Sequence, residues 1–513
     1  MYSYTKSAGL YGIDGYIVEV EVNTSRGIPH FDIVGLPDVA VKESRDRVKA
    51  AISNIGFELP PSQIVVNLAP ANTKKSGPMY DLPILIGILK SLRMIDINTD
   101  DYAFIGEISL DGKLRGITGT LSMVTAVQNE GIKNIFIPYE NAAEGSVVKG
   151  INVYPVNDVS EILDFFEGKL NIKKANEIDF DSIPIPPMPD FADVRGQENA
   201  KRAMEVAAAG GHNILLIGPP GTGKSMLAKR MPSILPELSF AEALETTKIH
   251  SISGTLPTGQ ALLTQRPFRS PHHSISLAGL IGGGSNPKPG EISLSNHGIL
   301  FLDEFPEFPK QVMEGLRQPI EDGVVTISRV AGRISYPCNF MLVAAMNPCP
   351  CGYFGHPDIK CTCSKTKLAM YLGKISGPML DRLDIHIEVP PVDYKEISRY
   401  SDSESSAEIR KRVTKAREIQ LERYKEHNIY CNAKLTPALT KKYCVLTPEA
   451  DKLLEMVYDK LGFSGRSYDR LIKVSRTIAD LDGSDVINSD HISEAVQYRN
   501  LDRKYWRKDV SEM

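Results

Sequence analysis

The feature that most constrains this 513-residue chain is a short segment near its middle. An apolar run at 213–217 predicts a strand, and a helical pattern at 226–231 follows eight residues later. Between them lies a loop with the spacing G-x-x-x-x-G-K-S, made of Gly218, Pro219, Pro220, Gly221, Thr222, Gly223, Lys224 and Ser225. Glycines at these positions let backbone N–H groups turn toward a phosphate, and the helix N-terminus adds the positive end of its dipole. The segment therefore predicts an α/β fold that binds a nucleotide at this loop.

A second segment predicts the acidic groups that nucleotide hydrolysis needs. The apolar strand at 298–302 ends in Asp303 and Glu304, and ligands collect at the carboxyl ends of strands in open α/β sheets. We expect Lys224 to reach the β- and γ-phosphates of ATP. Ser225 and Asp303 would ligate Mg²⁺, and Glu304 would polarise the attacking water. These residues together predict an ATPase.

A third apolar strand, at 340–345, is followed by Asn347. This amide could hold the γ-phosphate or the attacking water from the side opposite Lys224. An asparagine after a strand is also a common turn residue, so the residues alone leave both interpretations open.

Composition bounds the class of protein. Hydrophobic residues make up 42% of the chain and charged residues 24%, as in ordinary globular proteins. The sequence holds no run of 18 uncharged apolar residues, and its first residues lack the apolar core of a signal peptide. We therefore expect a cytoplasmic protein with no membrane partner. The net charge is −4, so a nucleic acid would have to be held by local basic loops.

The pattern of elements predicts three domains and a linker. Residues 1–170 mix alternating runs with helical stretches and predict an α+β domain. A proline-rich acidic segment within 171–190 is typical of a linker. Residues 191–392 alternate short apolar strands with helices, which predicts a parallel sheet, and residues 393–513 have mainly helical periodicity.

The cysteines form a cluster. Four of the seven lie in two C-x-C pairs within fifteen positions: Cys349, Cys351, Cys361 and Cys363. In a reducing compartment such clusters bind metal more often than they form disulfides. Four thiolates could close a tetrahedral Zn²⁺ site that staples the loop between Asn347 and Arg382. The spacing is tighter than the usual C-x₂-C, so a loop of reduced thiols is the alternative.

Several longer motifs carry a family resemblance. The segments 266–273 (RPFRSPHH), 289–294 (PGEISL), 316–323 (LRQPIEDG), 345–352 (AMNPCPCG) and 376–384 (SGPMLDRLD) resemble the magnesium-chelatase-like AAA+ ATPases. The added N-terminal domain resembles that of the ComM (YifB) branch, a competence-associated DNA helicase group. The resemblance implies a P-loop AAA+ core with a parallel sheet, preceded by a Lon-protease-like α+β domain and followed by an α-helical lid.

The resemblance also implies a ring, most simply a homohexamer, with ATP between neighbouring subunits. Arg382 is then the arginine finger that reaches the neighbour's nucleotide, and Arg466 is the sensor arginine of the lid. An arginine supplied across an interface stabilises charge on the transferring phosphoryl group. The alternative for Arg382 is an ion pair with Asp381 or Asp384.

Two segments are candidates for contact with DNA in the pore. Residues 279–290 are too rich in glycine and proline to predict a regular element, and this branch places an insertion there. Residues 325–336 predict a hairpin with Gly332 at its tip. Lys288, Arg329 and Arg333 could contact phosphates without reading bases, or the loops could only pack against neighbouring subunits. The adjacent pair His272 and His273 could have a catalytic or metal-binding role, but we interpret it as a structural pair near the pore insertion.

The N-terminal resemblance to Lon rests on stretches such as 104–112 (FIGEISLDG). Lon-type proteolysis needs a serine activated by a lysine. Here Ser76 precedes the glycine that it should follow, and residues 119–124 (GTLSMV) contain no lysine. We therefore expect no proteolysis, and a role in ring assembly or DNA binding.

These observations favour a hexameric ATP-dependent motor on single-stranded or branched DNA, such as a branch-migration helicase in recombination or natural transformation. The alternative is a chelatase-type motor that acts on a protein or tetrapyrrole-enzyme partner. The Lon-like extension argues against that alternative, because the chelatase motor subunit lacks it.

Overall fold

The fold was examined in a computed structural model that describes residues 1–284, 287–329, 332–392, 403–427, 429–461 and 465–506. Within these ranges the chain forms two sheet-containing units and a C-terminal group of helices. We label strands and helices in chain order and leave short 3₁₀ turns unlabelled.

The N-terminal unit is built on a mixed sheet. Strands β1 and β2 pair antiparallel along ten residues, from Tyr2 opposite Asn23 to Tyr11 opposite Asp14. The described strands run in the order β3-β4-β2-β1-β5-β8-β9. Alternate residues of β2 face the core, with Val18, Val20 and Val22 buried. The elements are β1 (Tyr2–Tyr11), β2 (Asp14–Arg26), β3 (His30–Val34), α1 (Val39–Asn54), β4 (Ser62–Ala69), α2 (Asp81–Ser91), β5 (Tyr102–Phe104), β6 (Glu107–Ile108), β7 (Leu114–Arg115), α3 (Thr120–Asn129), β8 (Asn134–Pro138), α4 (Ala142–Gly145), β9 (Asn152–Val156) and α5 (Val159–Phe166).

The central unit is a parallel sheet with helices on both faces, as the sequence predicts. Its described strands run in the order β11-β14-β17-β10-β18, and every neighbouring pair is parallel. Strands β10, β14 and β17 are buried along their whole length, as expected when both faces of a sheet are covered. The elements are α6 (Glu198–Gly210), β10 (Ile214–Ile217), α7 (Lys224–Ile234), α8 (Phe240–Ser253), β11 (Phe268–Arg269), α9 (Leu277–Ile281), β12 (Gly282–Gly283), β13 (Lys288–Pro289), α10 (Glu291–Leu294), β14 (Ile299–Leu302), α11 (Lys310–Gly315), α12 (Arg317–Asp322), β15 (Val324–Arg329), β16 (Gly332–Pro337), β17 (Met341–Met346), α13 (Lys365–Leu372), α14 (Gly377–Leu380) and β18 (Ile385–Glu388).

The C-terminal region is helical. Its elements are α15 (Ser406–Arg423), α16 (Pro437–Tyr443), α17 (Pro448–Leu461), α18 (Gly465–Leu481), α19 (Ser489–Gln497) and α20 (Leu501–Tyr505). A buried ion cluster joins two of these helices: Asp480 lies 3.0 Å from Arg476 and 2.7 Å from Arg423. Asn432 donates a further hydrogen bond to Asp480 at 2.8 Å. Because each charge has partners, the cluster fixes how α15 and α18 pack.

The N-terminal unit contacts the central unit through buried polar groups. The hydroxyl of Ser251 in α8 donates to the Glu144 carboxylate at 2.5 Å, and the backbone N–H of Gly119 donates to the same hydroxyl at 2.8 Å. Burial raises the pKa of Glu144, although hydrogen bonds from Ser251 and the backbone of Leu121 act in the opposite direction. Leu262 packs beside Leu121 in a small apolar cluster at this contact. These contacts hold the C-terminal end of α8 against the start of α3.

The glycine-rich segment corrects one sequence-based expectation. Residues 279–290 contain regular structure: the end of α9 and a two-residue antiparallel ladder between β12 and β13. Gly282 has φ +107°, and a Cβ there would lie 2.4 Å from the carbonyl oxygen of Lys288. Only glycine accepts both this conformation and this close approach. The glycine content, which we took to exclude a strand, is therefore needed for the pairing of β12 with β13. Ser285 and Asn286 lie outside the described residues.

The hairpin at residues 325–336 is confirmed. Strands β15 and β16 pair antiparallel from Val324 opposite Pro337 to Arg329 opposite Gly332. Gly332 therefore belongs to the second strand, and residues 330 and 331 lie outside the described ranges.

Among the helices in the described ranges, none is both long and apolar enough to cross a bilayer.

Candidate nucleotide site

The order of the parallel strands brings the predicted nucleotide residues together at one edge. Strand β10 leads into the loop at 218–225, and its neighbour β17 leads to Asn347. On the other side of β17, strand β14 ends just before Asp303 and Glu304. The carboxyl ends of parallel strands meet at one edge of a sheet, where α/β proteins bind ligands. These side chains line a common cavity of about 660 Å³, a size within the usual range for small-molecule sites.

The P-loop lysine lies at the centre of this cavity. The Lys224 ammonium donates to the backbone oxygens of Gly218 and Pro219, each at 2.7 Å, and to the Asn347 amide oxygen at 3.2 Å. Burial lowers the pKa of Lys224 to about 8, and the negative charge of Asp303 offsets this only in part. A phosphate would replace the carbonyl contacts with stronger, charge-assisted hydrogen bonds.

The loop conformation depends on its glycines. Gly221 and Gly223 have φ of +80° and +87°, which non-glycine residues rarely adopt. A Cβ at Gly218 would lie 2.2 Å from the backbone oxygen of Val389, the residue that follows β18. Helix α7 begins at Lys224 itself, so the first N–H groups of the helix face the cavity.

The residues predicted to bind magnesium are adjacent. The Ser225 hydroxyl donates to the Asp303 carboxylate at 2.5 Å, and the other Asp303 oxygen accepts the backbone N–H of Glu304 at 2.9 Å. A hydroxyl oxygen and a carboxylate oxygen this close suit Mg²⁺, which takes few protein ligands and completes its shell with waters and substrate phosphates. The oxygens of Ser225 and Asp303 therefore form a donor set that fits Mg²⁺.

Two histidines that the sequence did not connect with ATP also line the cavity. His272 and His273 follow β11, which pairs parallel with β14 and so ends at the same edge. The His273 Nδ1 lies 3.3 Å from a Glu304 carboxylate oxygen. The interpretation of this pair as structural missed the position, because β11 has only two residues and its neighbour in the sheet cannot be read from the sequence.

Comparisons with known proteins agree with this geometry. The family "Magnesium chelatase, subunit ChlI" matches residues 190–397, a related ChlI family matches 20–141, and a ChlI C-terminal family matches 403–499. The protein YifB of Salmonella typhimurium is 44% identical over 494 residues, which cover 96% of each chain. Competence protein ComM of Haemophilus influenzae is 42% identical over 497 residues, again 96% of each chain. This chain belongs to the ComM/YifB family of magnesium-chelatase-like AAA+ proteins. The resemblance drawn from the sequence motifs is thus confirmed.

A third match concerns the N-terminal unit of this ComM/YifB-family chain. A Lon protease of Buchnera aphidicola is 30% identical over 116 residues, 22% of this chain and 14% of that protein. Within residues 119–124, the stretch where the Lon lysine would lie, the Ser122 hydroxyl donates to the backbone oxygen of Ile13 at 2.7 Å. The neighbour of Ser76, Lys75, is buried and donates to the backbone oxygen of Pro70. Both side chains thus contact backbone oxygens, and the absence of proteolysis stays a prediction.

The two arginines expected in ComM/YifB proteins to act on nucleotide lie apart from the cavity. Arg382 is 7% exposed and lies 2.6 Å from Glu321 on α12. It also donates to the backbone oxygens of Pro378, at 2.6 Å, and Arg317, at 3.2 Å. Neither Asp381 nor Asp384, the partners considered from the sequence, takes this role.

Asp384 instead contacts Asn213, just before β10, and Arg470 on α18. It accepts the backbone N–H of Asn213 at 3.1 Å and lies 3.3 Å from Arg470. Burial alone would raise the pKa of Asp384, but the hydrogen bond and charge of His212 and the charge of Arg470 lower it to about 2. Arg466, at the start of α18, is exposed. The role of Arg382 on a neighbour's nucleotide and that of Arg466 as the sensor arginine of the lid stay predictions.

The four clustered cysteines of this ComM/YifB chain converge. Their sulfur atoms all lie within 4.8 Å of one another, and three of the pairs are 3.3, 3.5 and 3.7 Å apart: Cys349–Cys351, Cys351–Cys361 and Cys349–Cys361. A Zn²⁺ ion about 2.3 Å from each thiolate in a tetrahedron separates the sulfurs by about 3.8 Å. The backbone N–H of Phe354 donates to the Cys349 sulfur at 3.3 Å, a contact that stabilises a thiolate. The cluster therefore has the donors and spacing of a zinc site.

The candidate DNA residues lie on two loops that touch. Lys288, on β13, and Arg333, on β16, are both exposed. The Tyr336 hydroxyl of the hairpin donates to the backbone oxygen of Pro287 at 2.8 Å and so joins the hairpin to the insertion. The Tyr11 hydroxyl of the N-terminal unit donates to the Arg333 backbone oxygen at 3.2 Å. The backbone of Arg329 pairs with Gly332, and its side chain lies outside the described part of the structure.

Proposed function

We propose that this chain hydrolyses ATP at the interfaces of a homohexameric ring and uses the energy to move on single-stranded or branched DNA. The observation that carries the ATPase part is the single cavity that contains Lys224, Ser225, Asp303, Glu304 and Asn347. There the lysine would bind the β- and γ-phosphates of ATP. Ser225 and Asp303 would hold Mg²⁺, whose charge neutralises the phosphates when it is bound.

Water activation would fall to Glu304, at the mouth of the same cavity. Its carboxylate lies one residue beyond the magnesium ligand Asp303, so a water held by Glu304 would be close to a γ-phosphate on Lys224. Asn347, whose amide oxygen lies 3.2 Å from the Lys224 ammonium, would report whether the γ-phosphate is present. Arg382 of a neighbouring subunit and Arg466 of the lid would complete the site on binding.

The DNA part of the proposal draws support from the two joined loops and from the relative named competence protein ComM. Lys288 on β13 and Arg333 on β16 are exposed cations, and the Tyr336–Pro287 hydrogen bond joins the two loops. The net charge of −4 gives the whole chain no general attraction to DNA, so local cations of this kind must supply it. Competence, recombination and branch migration are the processes in which such a motor would act.

The DNA proposal predicts a change that two substitutions can measure. We expect single-stranded or forked DNA to raise the ATPase rate, and Lys288→Ala with Arg333→Ala to weaken this stimulation. Each lost phosphate contact makes the slope of log Kobs against log salt less negative by roughly 0.7 for a single strand. Binding titrations at several salt concentrations, with Lys441→Ala on the lid as the matched control, measure that slope. An ATPase rate indifferent to DNA would favour the chelatase-type motor acting on a protein or tetrapyrrole-enzyme partner.

We further propose that the cysteine cluster binds one structural Zn²⁺. Gly352 lies against the P-loop, where a Cβ would come within 2.6 Å of Pro220, and the Phe354 ring packs edge-on against Tyr505 of α20 at 6.1 Å. Zinc here would fix the loop that follows Asn347 between the P-loop and the C-terminal helix. Its chemistry is structural, because four thiolates leave no open coordination position.

Metal analysis tests this zinc proposal. We expect about one zinc per chain in protein purified without chelators, and a loss of the metal in Cys361→Ser. Because metal binding to a structural site contributes to folding free energy, the variant should also melt at a lower temperature. Cys444→Ser, which changes a buried cysteine outside the cluster, should retain the metal. Metal-free wild-type protein would count against the site.

A further inference from the structure

The nucleotide cavity contains an imidazole to which the proposed mechanism gives no task. We propose that His273 is a positioning residue: its Nδ1, 3.3 Å from a Glu304 carboxylate oxygen, pairs with that carboxylate and orients it toward the attacking water. The inference rests on the proposed ATP hydrolysis and is independent of DNA.

The Glu304 side chain is less restrained in orientation than a group that must polarise an attacking water. It follows the last strand residue by two positions and has φ 52°, in the left-handed region, at the start of a 3₁₀ turn. Its side chain is 58% exposed, so packing alone does not select one orientation. The effect of a catalytic group depends on placement to within a fraction of an ångström. A partner that holds the carboxylate should therefore raise the rate of ATP hydrolysis by a measurable factor.

His273 has the position and the support to be that partner. Its Nδ1 lies 3.3 Å from a Glu304 oxygen. Its ring lies between two others: the His272 ring centroid is 4.0 Å away, and the buried Phe308 ring meets it edge-on at 6.4 Å. These contacts restrict the imidazole, so its pairing with Glu304 holds the carboxylate in a defined position.

The neighbouring histidine has a different role. The His272 Nδ1 lies 2.8 Å from the Ser274 hydroxyl and accepts the Ser274 backbone N–H at 3.3 Å. It therefore shapes the turn after β11, and only His273 of this pair reaches Glu304.

Steady-state kinetics without DNA test the assignment. His273→Ala is expected to lower kcat about 10-fold, within the range that misplacing a catalytic group costs, while KM for ATP changes less than 2-fold. An interaction used only in the transition state lowers kcat in this way. His273→Asn should recover most of the rate, because its amide nitrogen is as many bonds from Cα as the histidine Nδ1. A KM change with constant kcat, or equal loss in both variants, would overturn the proposal.

A double-mutant cycle separates positioning from a structural effect. In a Glu304→Gln background, His273→Ala should cost less than 2-fold, because the group that it positions has already lost its function. A purely structural histidine would cost the same 10-fold in both backgrounds, and that result would refute the inference alone. If Glu304→Gln by itself left the rate unchanged, the proposed ATPase mechanism would fail, and the role of His273 with it.

Discussion

Lys224→Ala is expected to lower ATP turnover by at least about 100-fold, since removing one fixed donor from a developing phosphoryl or oxyanion charge costs that much or more. Lys224 is the cation at the centre of the cavity, within hydrogen-bond reach of the loop carbonyls and of Asn347. No other lysine lines that cavity in the described residues, so nothing adjacent would replace its charge. A coupled assay of phosphate release measures the effect.

Stability distinguishes this loss from misfolding. Burial lowers the pKa of Lys224 to about 8, below its ordinary value near 10.4. The folded state thus holds this proton less tightly than the unfolded state. The charged lysine therefore costs stability at neutral pH, and the cost disappears as the pH rises above the unfolded pKa. Lys224→Ala should melt no lower than wild type at pH 7, whereas its stabilisation by added ATP should disappear.

The exposed lysine on the same helix provides the control. Lys229→Ala changes one charge of α7 outside the cavity and should leave both turnover and the ATP-induced rise in melting temperature intact. Normal turnover by Lys224→Ala would refute the proposed site, whatever the family of the chain.

Local motifs explain why the centre of the site could be predicted. The P-loop and the Asp303 strand each combine a buried strand with a short polar end, and parallel strands place such ends at one edge. Sequence alone thus located Lys224, Ser225, Asp303 and Glu304, and it offered Asn347 as one of two interpretations. The structure brings all five to one cavity.

Contacts between residues that are distant in sequence explain why the other features could not be predicted. His273 meets Glu304 only because the two-residue strand β11 pairs with β14, and a strand so short leaves no periodic signal. The partner of Arg382 is Glu321, sixty-one positions earlier in the numbering, where charge spacing along the chain points instead to Asp381 and Asp384. The glycine ladder at 282–289 depends on positive φ values, which composition does not specify.

The second large effect concerns Arg382, whose proposed task lies in another subunit. Within its own chain Arg382 already has three partners, of which Glu321 is the only charged one among the described residues. To act as an arginine finger it must exchange Glu321 for a neighbour's γ-phosphate. An arginine supplied in trans contributes about 10³-fold or more to phosphoryl transfer, so Arg382→Ala should reduce ATPase activity by about that factor. Glu321→Gln removes the intrachain ion pair but keeps the finger, and it should retain turnover.

Mixing subunits shows whether the arginine works across an interface. Lys224→Ala subunits lack a working P-loop but present Arg382, and Arg382→Ala subunits have the reverse defect. Assembled together, they should recover activity that neither has alone, because some interfaces pair an intact P-loop with an intact arginine. Lys224→Ala mixed with Glu304→Gln should stay inactive, since every nucleotide cavity is then defective. If the first mixture were as inactive as its components, or if Glu321→Gln lost as much activity as Arg382→Ala, then Arg382 would serve only its own chain, and the ATP site would need no neighbouring subunit to complete it.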